Sequence, residues 1–359
     1  MPDADLHDLP RYDPARSYDW NYRHAPDPVE LDVPAVPGEW SFCGRKVDSP
    51  LGIPAGPLLN GRWVLYYASL GFDVLTYKTV RSRERACYPL PNLQPVECGP
   101  LRGGESDLPA IEQMRGSWAV SFGMPSKTPD VWRDDVQQTR DRLPAGKLLS
   151  VSVVGTVQEG WTIDQLADDY AQCARWAVEA GADVIETNFS CPNVATCDGQ
   201  LYTQPQDAAL VAQRVRAAIG QTPFVVKIGH VEQPQAAATL LDAVGPHVNA
   251  LAMTNSVATT VVDPGGERLF DGQQRGICGA ATLQASLRQT RLFADLVAER
   301  KVDLELIGVG GAATAADVKA YLSAGATSVQ LATAIMVNPA AGLEIRRAMN
   351  QAVAPASRR

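Results

Sequence analysis

Long apolar runs are missing from this 359-residue chain, and none approaches the roughly 18 uninterrupted apolar residues of a membrane-spanning helix. The opening residues, Met1-Pro2-Asp3-Ala4-Asp5, carry neither a basic segment nor an apolar stretch, so no secretory signal is expected and the expected address is the cytoplasm. An excess of basic residues is missing too. The 32 Lys and Arg against 40 Asp and Glu leave a formal charge of −8, which speaks against an extended nucleic-acid footprint. Histidine is scarce, with four in all and no H-E-x-x-H, so metal catalysis is not expected. The seven cysteines are odd in number and contain no C-x-x-C pair, which argues against a disulfide framework and against zinc or iron–sulfur ligation. Most of them are expected to be small buried hydrophobes.

What is present is a repeat of short apolar runs and longer helical patterns. Strands are predicted at 49–56, 72–79, 148–155, 183–190, 223–229, 248–256, 304–310 and 328–333. Eight in series, each followed by a helical segment, predict an α/β fold, a (β/α)₈ TIM barrel. Helix punctuation agrees. Thr128 stands before Pro129 at a helix start, Thr314 and Asp317 have capping-box spacing, and Gly325 stands where a helix ends. Ile163, Leu166, Ala167, Tyr170, Ala174 and Ala177 recur on one helical face, and Cys173 falls among them as a core residue.

Residues 1–46, rich in Pro, Asp, Tyr and Trp without a period, are predicted to form an N-terminal arm around the barrel (47–352), with a short C-terminal tail (353–359). The connection after the second strand, Val80 to Lys127, is nearly fifty residues long and lies at the face where barrels carry their active sites, so a functional loop is expected. Its basic residues Arg81, Arg83 and Arg85 are read as a solvated face.

The candidate chemistry lies at predicted strand ends. Ile307-Gly308-Val309-Gly310-Gly311 and Leu331-Ala332-Thr333-Ala334 each lead into a helix, where backbone N–H groups and the helix dipole favour a phosphate. Gly308 to Ala313 also satisfies G-x-G-x-x-A. That motif belongs to an opening βαβ unit with an acidic residue about 20 positions on, which this segment lacks. The fourth strand runs into Asn188-Phe189-Ser190-Cys191-Pro192-Asn193, and alternation places Asn188 and Ser190 on one side and Phe189 on the other. Cys191 opens the following loop and is a candidate acid or base, with Ser190 beside it. Cys197 is read as a bystander. Lys78 and Lys227 close the second and fifth strands, where a ligand's negative charge is the expected partner. Thr254-Asn255-Ser256 adds hydrogen-bonding groups after the sixth, and His230 follows the fifth. Several amides, two lysines and a thiol suit a flat, polar heterocycle and a ring cofactor.

These residues resemble the dihydroorotate dehydrogenase family, FMN-dependent barrel flavoproteins that include the catalytic domain of dihydropyrimidine dehydrogenase. The likeness runs from about Ser49 to the C-terminus and rests on Pro54-Ala55-Gly56, Lys78-Thr79, Asn188 to Asn193, Lys227, Asn255-Ser256, Gly310-Gly311 and Ala332-Thr333. It implies FMN held by Ala55, Gly56, Lys78, Thr79, Asn188, Lys227, Asn255, Gly279, Gly310, Gly311, Ala332 and Thr333. It implies a pyrimidine held by Asn188, Asn193, Asn255, Ser256, Gly123 and Met124. Cys191 would take the proton from the dihydropyrimidine C5 while hydride passes from C6 to flavin N5, with Lys78 and Ser190 at the reacting centre. A cysteine at that position is similar to the soluble class of the family.

The chain departs from the family at Val120, which stands in place of a pyrimidine-binding asparagine. A different small heterocycle is therefore an alternative substrate, and a flavin-binding interaction protein without chemistry is an alternative function. A tRNA dihydrouridine synthase is a further alternative, against which the −8 charge speaks. A homodimer and an electron-acceptor partner are compatible with the sequence, and use of NAD would need a partner subunit.

Overall fold

The computed structural model describes residues 6–190 and 200–351. Eight parallel strands close into a barrel: β1 (Leu51–Ile53), β2 (Val74–Val80), β3 (Leu148–Val153), β4 (Val184–Asn188), β5 (Phe224–Lys227), β6 (Ala250–Met253), β7 (Glu305–Val309) and β8 (Ser328–Gln330). All eight expected strands are found, and β8 pairs with both β7 and β1. Seven are shorter than expected at their C-terminal ends, whereas β2 runs one residue beyond its expected end. Thr333, placed on the last strand from sequence, instead begins a short helix, Thr333–Val337.

Outside the barrel lie α1 (Gly61–Ser69), α2 (Pro129–Arg142), α3 (Ile163–Glu179), α4 (Pro205–Ile219), α5 (Pro234–Val244), α6 (Leu283–Arg300), α7 (Ala315–Ser323) and α8 (Ala341–Gln351). The Thr314 hydroxyl accepts from the Asp317 N–H at 3.2 Å while the Asp317 carboxylate accepts from the Thr314 N–H at 2.9 Å, the reciprocal pair that its spacing predicts. Thr128 stands before α2 as expected, but its side chain makes no capping bond and Pro129 alone marks that start. Leu166, Ala167, Tyr170, Cys173 and Ala177 bury the apolar face of α3.

Alternation along the strands builds the barrel interior in layers. At the bottom, Val74, Leu148, Val184 and Val225 form an apolar plug with Phe42 and Val47 of an antiparallel hairpin, Trp40–Phe42 and Arg45–Val47. Two to four residues further along the same strands the inward positions turn polar: Lys78, Ser152, Asn188 and Lys227, all buried. The barrel therefore has a dry base and a polar top, and the top is its C-terminal face.

The long connection after β2 crosses that face. Its segments Leu93–Pro95 and Ser117–Val120 join Val257–Thr259 and Arg275–Gly279 in a four-stranded antiparallel cap sheet. In the N-terminal segment, Tyr12 and Tyr18 pack edge-on against Phe122 of this connection, with ring centroids 6.0 and 6.2 Å apart. Arg81, expected on a solvated face, is fully buried: its guanidinium donates to the carbonyls of Met124 (3.2 Å) and Gly155 (2.8 Å), tying the connection to the barrel rim. Arg83 is exposed.

Candidate active site

A cleft lies between the polar barrel top and the cap sheet. One part is lined by Ala55, Gly56, Lys78, Thr79, Asn188, Lys227, Asn255 and Ser256 from the barrel side and by Val120, Phe122, Gly123 and Met124 from the long connection. The adjoining part is lined by Gly279, Gly310, Gly311, Ala332 and Thr333. The two parts enclose about 910 and 920 Å³ of space, some of it open to solvent, and share Asn255, Cys278, Val309, Ala332 and Thr333, so they form one continuous cleft. Residues from seven strand ends and two loops thus meet at one place.

Lys78 and Thr79 are consecutive, and on a regular strand only one could face inward. The β2–β3 ladder changes register between Tyr77 and Val80, which lets both do so. Lys78 Nζ donates to the Gly56 carbonyl at 3.2 Å and lies 4.7 Å from the Phe122 ring centroid and 6.0 Å from that of Tyr18. Burial pushes the Tyr18 phenol well above the ordinary tyrosine value, so it presents a neutral ring to the lysine. Thr79 shares a 3.0 Å hydrogen bond with Ser152.

Lys227 corrects one expectation. Its partner is not a ligand but Glu186, whose carboxylate lies 2.9 Å from Nζ, with the two side chains 4% and 1% exposed. Sequence reasoning did not assign Glu186, although strand alternation two residues before Asn188 turns it inward. Cys278 was missed as well. It sits on the cap sheet, lines both parts of the cleft, and has its thiol 3.6 Å from the Asn255 carbonyl. Burial pushes that thiol up to about 12 against the pull of nearby Lys227, so it remains protonated at neutral pH and is no base there. Among the described cysteines only Cys173 is fully buried; Cys43, Cys87, Cys98 and Cys278 are half-buried, fewer buried thiols than composition suggested.

The amides act on the backbone of the fourth strand end. The Asn188 side-chain oxygen accepts from the Ser190 N–H at 3.0 Å, and its amide lies 3.5 Å from the Met124 sulfur. Asn255 donates to the Ser190 carbonyl at 2.6 Å. The chain is therefore gripped on both sides at the residue preceding Cys191. Phe189 points away and packs edge-on against Tyr170 at 5.8 Å, as alternation requires. The Ser190 side chain is not in the main cleft. It borders a separate hollow with Tyr202, His230 and Ser256. Cys191, Asn193 and Cys197 lie outside the described residues.

At the far end of the cleft, Gly310 (φ +125°) and Gly311 (φ +73°) make a turn that other residues adopt only under strain. A Cβ on Gly311 would meet the backbone nitrogen of Leu283 at 2.7 Å. Tyr321 holds the turn by donating to the Gly310 carbonyl at 2.6 Å. Among the described residues the N–H groups of Gly310, Gly311 and Ala312 have no hydrogen-bond acceptor. No grouping of three or more His, Cys, Asp or Glu suited to a metal, and no helix long and apolar enough to cross a membrane, occurs among the described residues.

The fold and the site define a (β/α)₈-barrel enzyme whose mouth holds a long cleft, basic and amide-lined at one end and glycine-lined at the other. The family model described as dihydroorotate dehydrogenase matches residues 39–353. This chain belongs to the dihydroorotate dehydrogenase family and is an oxidoreductase of the dehydrogenase type. It is 29% identical to a protein of Dictyostelium discoideum named dihydroorotate dehydrogenase, over 92% of this chain and 95% of that one. It is 27% identical to a Desulforudis audaxviator protein named dihydroorotate dehydrogenase B (NAD(+)), catalytic subunit, over 87% and 91% of the two chains. A crystal structure described as DHODH in complex with ferulenol, from Eimeria tenella, covers 93% of this chain and 90% of its own with a TM-score of 0.72. At 17% identity that likeness speaks for the fold.

Proposed function

We propose that the cleft binds FMN and that the protein oxidises a dihydropyrimidine of the dihydroorotate type. The observation that carries the reading is the continuity of the cleft, from a glycine turn with unpartnered N–H groups to a floor of buried lysines and amides. The residues fit such a group. A Cβ on Gly56 would project into space free of any atom within 4 Å, so the floor leaves room for a flat ring. The turn at Gly310 and Gly311, with Thr333, suits the phosphate. Ala55, Gly56, Thr79, Lys78, Asn188, Lys227, Asn255, Gly279 and Ala332 would surround the rest.

When bound, the flavin supplies a hydride acceptor for the substrate's C6. The protein's part is to place the ring and to take the C5 proton. Asn188, Asn255, Ser256 and, in the segment beyond Ser190, Asn193 are assigned to the heterocycle, with Gly123 and Met124 against it. Cys191 is assigned as the base. Its support is the grip of Asn188 and Asn255 on Ser190, which sets the chain entering Cys191 at the edge of the cleft. The raised thiol of Cys278 speaks against that cysteine as the base and so supports assigning the role to Cys191.

A nicotinamide acceptor would have to bind elsewhere, since Gly308 to Ala313 spans the end of β7 and the turn after it rather than an opening βαβ unit. A second subunit is the natural place for it, and relatives named as NAD(+) catalytic subunits are compatible with that arrangement. The test of the proposal is anaerobic mixing of the purified protein with dihydroorotate while the visible flavin band is followed. Bleaching is the expected result. A colourless protein that takes up no FMN would refute the cofactor, and a yellow protein that dihydroorotate leaves yellow would refute this substrate.

A further inference from the structure

Among the described residues that line the two parts of the cleft, the cations are Lys78 and Lys227, and there is no Asp or Glu. Reduction adds negative charge to a flavin ring, so a wall of that composition alone would hold the reduced form more tightly than the oxidised one. A compensating charge lies one layer down. Glu186 is the inward residue two positions before Asn188 on β4, roughly 7 Å back along the strand, and it does not line the cleft. β4 and β5 pair with Lys227 opposite Asn188 and Val225 opposite Glu186, so the lysine leaves its strand a full layer above the carboxylate. Its ammonium nonetheless reaches down to Glu186 Oε1 at 2.9 Å. Both side chains are buried, and buried Ser152 of β3 is the ladder neighbour of Glu186 on its other side. In so dehydrated a setting a charge is felt over a longer distance than at a surface.

Resting on the reading of the cleft as a flavin site, we infer that Glu186 sets the reduction potential of the bound flavin. Its carboxylate cancels the charge of Lys227, takes one unit of positive charge out of the floor, and so lowers the potential. Lys227 can then donate hydrogen bonds to the ring without trapping it in the reduced form, and the electrons pass on to the next acceptor more readily. Glu186 is a positioning residue in this scheme, because it acts through Lys227 from beneath the floor. A unit charge acting over about 12 Å at an effective dielectric of about 20 shifts such an equilibrium about tenfold. Tenfold in the ratio of affinities for reduced and oxidised flavin is about 30 mV for a two-electron couple.

The test is the potential of the flavin in the holoenzyme, measured anaerobically at pH 7 by slow reduction beside a reference dye of known potential, with no substrate present. Glu186→Gln, which keeps the shape and an acceptor for the ammonium but removes the charge, is expected to raise the potential by at least the tenfold equivalent, about 30 mV. Lys227→Gln is expected to lower it, and the double variant to lie between the two singles, near the parent. A site that was merely loosened would give no such opposition of sign. A Glu186→Gln potential equal to or below the parental one overturns the inference while leaving the flavin reading in place. Should Glu186→Gln not fold by itself, the comparison of the double variant with Lys227→Gln decides: the added Glu186→Gln change must raise the potential, and no rise overturns the inference. A parent protein that takes up no FMN overturns the flavin reading itself, and this inference with it.

Discussion

Replacing Glu186 by Ala isolates the buried ion pair that this carboxylate makes with Lys227. At the 2.9 Å separation of its carboxylate from Lys227, and with an effective dielectric of about 20, the attraction is about 6 kcal/mol. Dehydrating both groups offsets much of that, so the pair is worth far less than its Coulomb energy when compared with an apolar pair of the same size. Removing only one partner is different, because the lysine stays buried with its charge uncompensated. Glu186→Ala is therefore expected to lower the unfolding free energy by about 3–5 kcal/mol. Glu186→Gln, which keeps an acceptor for the ammonium, should lose less. A Glu186→Leu, Lys227→Met double variant should recover most of the loss, a coupling that a double-mutant cycle measures. The assay is urea unfolding followed by circular dichroism at matched flavin content, with equal slopes required before midpoints are compared. A Glu186→Ala protein within about 1 kcal/mol of the parent would refute the argument that this carboxylate neutralises Lys227.

Three further outcomes follow from the site. Cys191→Ala should slow single-turnover flavin reduction by about 10²- to 10⁴-fold, the usual weight of a positioned base, and an unchanged rate removes Cys191 from that role. Gly311→Ala forces a side chain into a turn with φ +73° and against Leu283, so it should weaken retention of flavin, read as fluorescence released on dilution; parental retention would sink the cradle assignment. Cys278 has a thiol pushed up to about 12, above the unfolded value near 9. The folded state then holds a proton that the unfolded state gives up, so its contribution to stability is complete below about pH 9 and is lost as pH rises towards 12. Cys278→Ser should accordingly lose stability less steeply over that window in alkaline unfolding titrations, and parallel curves for parent and variant would contradict the burial argument.

Much of the architecture is legible in the chain because it is local. Each strand is a short apolar run between turn signals, each helix carries its own face and cap, and period-two alternation alone turns Asn188 inward and Phe189 outward. The strand-end residues Lys78, Lys227, Asn255, Gly310 and Thr333 belong to one cleft for the same reason: in a parallel barrel all strands end on one face. Only the closed structure decides who neutralises whom and what faces the ligand. Lys227 finds Glu186 because adjacent strands bring two inward positions together, a pairing set by register between segments some forty residues apart. Arg81 looked solvated as part of a basic cluster in a long loop, yet it is enclosed between a carbonyl of that connection, Met124, and one that follows β3, Gly155. Cys278 and Val120 become part of the site through an antiparallel sheet assembled from four distant segments, whose hydrogen-bonded rows have no signature in local periodicity. Local sequence sets the direction in which a side chain leaves its own strand, and long-range strand register sets what it meets there.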